Sequence, residues 1–85
     1  MAKKAMAKHR MLDRPARCRI KAGWHEHPRR GVLLGTFRAD DHGVGQAWAI
    51  VKFDDDEDPD LFKASGIEAM IDGEWRDSTA FAPGA

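Results

Sequence analysis

The chain contains no tyrosine, a single cysteine and no long apolar run. Each shortage narrows what it can be. Cys18 alone cannot close an internal disulfide, which suits a reducing cytoplasm. A membrane-spanning helix needs about 18 or more consecutive apolar residues, and none is present, so no membrane partner is expected. The N-terminal lysines have no apolar stretch behind them and do not read as a secretory signal. No serine stands with a histidine and an acid at useful spacing. Gly43-Val44-Gly45 has no helix pattern after it, so no phosphate-cradling loop is expected either. The expectation is a non-enzymatic protein without cofactor or metal.

What is present is enough for one domain. Eighty-five residues, 42% of them hydrophobic, can build a single thin core. The formal net charge of zero conceals a division along the chain. Residues 1–38 hold eleven lysines and arginines against two carboxylates, a balance of +9. Residues 39–85 hold three against twelve, a balance of −9. Such asymmetry fits a charged partner or protomers meeting head to tail. It equally fits opposite faces that neutralise one another within one fold.

Residues 1–15 read as a basic N-terminal arm, rich in Ala, Met, Lys and Arg and therefore of fair helix propensity. An isolated helix of that length is marginal in water, so the arm is expected to be mobile alone and helical on a partner. Pro15 ends it, because the residue before a proline is pushed out of the α region. Beyond it the pattern becomes that of short strands. Arg17–Lys21 alternates, with Cys18 and Ile20 on one face. Gly31–Phe37 forms a second strand, and Gly35 inside it predicts a bulge or sharp bend. Asp40–Gln46 has hairpin chemistry, and Ala47–Phe53 is the strongest strand. With Val51 and Phe53 as core on that strand, Trp48 faces out with Ile50 and is open to a partner; the competing reading packs Trp48 into the core at the barrel end. Asp54–Asp60 must be a solvated loop. Leu61–Lys63 gives a fourth strand and Ile67–Ile71 a fifth. The competing reading of that last segment is a helix capped by Ser65 and Glu68. Asp72-Gly73 makes a turn, after which Glu74–Arg76 is a candidate for a last short strand beyond the five, and residues 78–85 read as a flexible tail. The barrel then spans residues 16–77. The fold class is all-β: a small five-stranded barrel with a basic N-terminal arm of helical propensity.

Residues 17–21, 31–37 and 48–55 together resemble an SH3-like barrel of the KOW or Tudor type. The resemblance implies a module that binds nucleic acid, ribonucleoprotein or protein tails. The spacing is also similar to the plasmid-borne type II dihydrofolate reductases, which are tetramers of such barrels. Where that family carries Val-Gln-Ile-Tyr for substrate and cofactor, this chain carries Pro59-Asp60-Leu61-Phe62. That comparison implies the fold and leaves a reductase as a remote alternative.

Two binding surfaces are expected. Lys3, Lys4, Lys8, Arg10, Arg14, Arg17, Arg19, Lys21, Arg29 and Arg30 can neutralise phosphates, with Trp24 placed to stack on a base. The resulting function is contact with nucleic acid or ribonucleoprotein through the arm and first loop. The alternative is a protein-interaction module, an adaptor or small phage-type inhibitor, using Trp48, Phe62 and the acidic residues Asp54, Asp55, Asp56, Glu57 and Asp58. A homo-oligomer is compatible with either. His25 and His27 share a side of an extended segment but lack further ligands at metal spacing. The acidic run resembles a calcium loop only in composition: counting from Asp54, Pro59 and Ser65 stand where a glycine and a glutamate are needed.

Overall fold

The computed structural model describes residues 8–24, 29–41 and 44–82. They form one antiparallel sheet of six strands: β1 (Lys8–Ile20), β2 (Arg30–Asp41), β3 (Val44–Phe53), β4 (Asp60–Lys63), β5 (Ile67–Ile71) and β6 (Glu74–Asp77). The spatial order is β4-β3-β2-β1-β5-β6. The first four strands run as a meander, and a 3-10 turn at Ala64–Gly66 sends β5 back to pair with β1.

Alternation sets the inner face. Ala16, Cys18 and Ile20 of β1 point inward, as do Leu33 of β2 and Ala49, Val51 and Phe53 of β3. Ala64, Ile67 and Ala69 complete the buried cluster, with Leu12, Phe62 and Phe81 packed at its margin. The expected bend at Gly35 is present as a register shift between Leu33 and Gly35 on the β2–β3 ladder. The matching shift on β1 falls between Met11 and Ala16. Both long strands therefore turn at the same level of the sheet.

Three expectations need correction, and one competing reading falls while the strand expected at Ile67–Ile71 stands. The arm is not helical over the described residues: from Lys8 onward it is strand, with Lys8 opposite Arg38, Arg10 opposite Thr36 and Met11 opposite Gly35. Pairing along β2, together with Leu12 packing on the core, overrides a helix propensity worth only a few tenths of a kcal/mol per residue. The sheet has a sixth strand, because Asp72 and Gly73 take positive φ and turn β6 back along β5. The helical reading of residues 65–71 fails. Ala64–Gly66 is a 3-10 turn without a side-chain cap, and Ile67–Ile71 is strand.

Finally, Ser78–Phe81 is not a loose tail but a second 3-10 turn. Asp77 caps it through the Thr79 N–H at 2.9 Å, and buried Ser78 donates to the Ala64 carbonyl. Thr36, itself buried, donates to the Phe81 carbonyl at 2.8 Å. This turn closes the inner face at the end the strands leave open.

Candidate interaction surface

The charged side chains divide into paired and unpaired sets. Arg17 lies 3.7 Å from Asp54, and Arg19 donates from Nε to Glu68 at 3.0 Å. Lys21 pairs with Asp77. Arg29 reaches Asp55 at 2.8 Å and Asp56 at 3.4 Å. Two of these arginines are also stacked: Arg29 lies 4.0 Å over the Phe53 ring and Arg19 lies 3.9 Å over Trp75. The two halves of opposite charge thus interlock across the fold. They do not form two separate poles.

Titration follows this pairing. The hydrogen bond from Arg29 holds Asp55 below the usual carboxylate range. For Asp77 partial burial pushes upward, but hydrogen bonds from Lys21 and Thr79 outweigh it and the carboxyl sits low. Asp60 moves the other way, raised by a hydrogen bond shared with Asp56 and by that neighbour's charge. Burial pushes the Cys18 thiol up to about 11, which marks a packed and unreactive side chain.

The residues expected to bind nucleic acid are therefore dispersed in role. Lys3 and Lys4 lie outside the described residues, and Lys8 opens β1. Arg17, Arg19, Lys21 and Arg29 each hold a carboxylate. Arg10, Arg14 and Arg30 are exposed. Of the cations from Arg17 to Arg30, Arg30 alone has no carboxylate partner among the described residues. It lines a groove of about 560 Å³ with Arg19, Lys21 and Glu68 over a floor of Ile20 and Ala22. Trp24 is 45% exposed, with one side of its ring against Phe62 and Gly66.

The acidic loop is similarly engaged. Asp54, Asp55 and Asp56 face arginines, which leaves Glu57 and Asp58 as its free carboxylates. Phe62 does not face out: it pairs with buried Ala49 and meets Phe53 edge-on at 6.5 Å. Among the described residues no group of three or more His, Cys, Asp or Glu is placed to hold a metal. His25 and His27 lie outside them.

The outer face of β1–β4 holds the residues that sequence reasoning passed over. Residues directly opposite in an antiparallel ladder point to the same side. Met11 stands opposite Gly35, Gly35 opposite Ile50 and Ile50 opposite Leu61. One step along, Phe37 stands opposite Trp48, and Trp48 opposite Lys63. Met11 and Leu61 are 59% and 57% exposed, while Phe37, Trp48 and Ile50 are half-buried. The Met11 thioether lies across Gly35, where a Cβ would come within 2.6 Å of its sulfur. An antiparallel sheet with one solvated face ordinarily turns polar residues outward. Here the first row is apolar on the outside as well, and the second is apolar at Phe37 and Trp48 before it ends at Lys63.

Comparison with known proteins returns nothing: no family model, no curated protein and no solved structure matches the chain.

Proposed function

We propose that the chain is a non-enzymatic SH3-like binding module that recognises another protein through the outer face of β1–β4. The fold reading is supported by the four-strand meander, the 3-10 turn before β5 and the return of β5 to β1. The observation that carries the function is the pair of outward apolar rows, Met11–Gly35–Ile50–Leu61 and Phe37–Trp48. Contiguous apolar surface on a small domain marks a contact site, and a tryptophan at its centre is a favoured anchor. Trp48, expected from the sequence to face a partner, belongs to this surface; Leu61 takes the place expected for Phe62.

Nucleic-acid contact is the weaker reading, because four of the cations it needs are matched to carboxylates of the same chain. The two readings separate in a paired experiment. Leu61→Asp is expected to keep the melting temperature and to lose the proteins that the wild-type chain retains from its source cells. Oligonucleotide binding, followed by fluorescence polarisation at low and high salt, is expected to be weak. Identical retention by the wild type and Leu61→Asp, or tight salt-dependent oligonucleotide binding, overturns the proposal.

A further inference from the structure

The outer face changes character along its strands. Next to the apolar rows comes Arg17 opposite Val32 opposite Lys52. Beyond that, Arg19 stands directly opposite Arg30. Like charges directly opposite on a ladder repel. Arg19 is relieved by Glu68 on its other side and by Trp75 beneath it. Arg30 makes no direct ion pair among the described residues, although Glu68, Asp54 and Asp55 line the grooves beside it. Arg17 and Asp54 are each 59% exposed and 3.7 Å apart, an ion pair of little worth that another carboxylate can replace. Lys52 donates to the Phe53 carbonyl at 2.9 Å and its charge also acts on Asp55, yet it makes no direct ion pair among the described residues. On β1–β4 the face therefore runs from a cationic stretch at Arg17, Arg19, Arg30 and Lys52 to a mainly apolar stretch at Met11, Trp48, Ile50 and Leu61, with Lys63 at its margin beside Trp48.

From this gradient, and resting on the protein-binding reading above, we infer that the partner is an acidic peptide segment: large apolar residues seated at the Met11–Leu61 end and carboxylates reaching Arg30 and Lys52. Charge complementarity selects this occupant. A second copy of the chain related by a two-fold axis through the apolar rows covers those rows but brings no carboxylate to Arg30 and Lys52. A nucleic acid satisfies Arg30 and Lys52 and leaves Met11, Ile50 and Leu61 in water.

The test is selection of a random-sequence peptide library displayed on phage against the immobilised full chain. Three forms are compared: wild type, Leu61→Asp and the double variant Arg30→Glu, Lys52→Glu. The substituted positions are exposed or half-buried on the outer face, and equal melting temperatures confirm that all three forms are folded. Wild type is expected to enrich peptides that combine Asp or Glu with large apolar residues. The best of these should bind the double variant at least about tenfold more weakly. Leu61→Asp should enrich nothing beyond background. Enriched peptides without acidic bias, or binding unchanged in the double variant, overturn the inference while Leu61-dependent enrichment keeps the protein-binding reading. Enrichment that is the same on Leu61→Asp, or absent on wild type, overturns both.

Discussion

At the scale of single residues, contact distances decide what the fold tolerates. Gly31 sits between β1 and β3, and a Cβ there would come within 2.2 Å of the Lys52 carbonyl oxygen and 2.7 Å of the Phe53 Cα. Backbone on the far side cannot swing away as a flexible side chain can. Gly31→Ala is therefore expected to separate β2 from β3 and to lower stability by about 2 kcal/mol or more, measurable by urea denaturation. The Asp56–Asp60 contact works in the opposite sense. Because Asp60 has a raised pKa in the fold, its ionised form is less favourable there than in the unfolded chain. That cost is present above the folded pKa and vanishes below the ordinary carboxylate range. Asp60→Asn should raise the melting temperature by up to a few degrees at neutral pH and leave it unchanged in acid; a gain of equal size at both pH values contradicts the electrostatic cause.

At the scale of elements, the first strand is where composition and structure diverge most. Met1–Arg14 carries residues that favour helix, yet Lys8–Met11 are held in a ladder whose other side is β2. Helix propensity is a local quantity, whereas a strand's stability lies in a partner more than twenty residues away. That partner cannot be read from the segment itself. Removing residues 1–11 should uncover Gly35 and Ile50 and lower the melting temperature by more than about 5 °C; a detached arm could be removed without effect.

The strands carrying strong alternation, Arg17–Lys21 and Ala47–Phe53, were legible for the same reason that β1's first half was not: their pattern is written within the element. Gly35 announced its bend because an interior glycine has few other uses in a strand. The inward turn of Phe62 and the outward turn of Leu61 were not legible. A four-residue strand offers too few alternations to fix its phase, and here the ladder with β3 fixes it.

At the scale of the whole molecule, the +9 and −9 halves are the largest electrostatic fact in the sequence, and folding pairs four of the eleven cations of the first half with carboxylates of the second. Arg19–Glu68 and Lys21–Asp77 span 49 and 56 residues, tying the basic half to the acidic half within one sheet. Those matched charges are lost as a drive for head-to-tail association between copies. Sedimentation is expected to give the monomer mass at both low and high salt; a mass that rises at low salt contradicts the internal matching. The candidate surface was legible only as Trp48 and Ile50 on one face. Met11 and Leu61 join them through ladder registers that no spacing in the chain displays.

The return of β5 to β1 also bears on how the chain is made. Synthesis delivers the cationic half first, and its counter-charges at Glu68 and Asp77 arrive only with the last strands. Until Ile67–Asp77 has emerged, β1 lacks the neighbour opposite Cys18 and Ile20, while the balance of the emerging polypeptide falls from +9 at residue 38 to +3 at residue 66 as the acidic loop arrives. During translation, then, the positive charge of the first two strands stands alone only until Asp54–Asp60 is made, and closure of the final strands adds the last pairings, to Arg19 and Lys21.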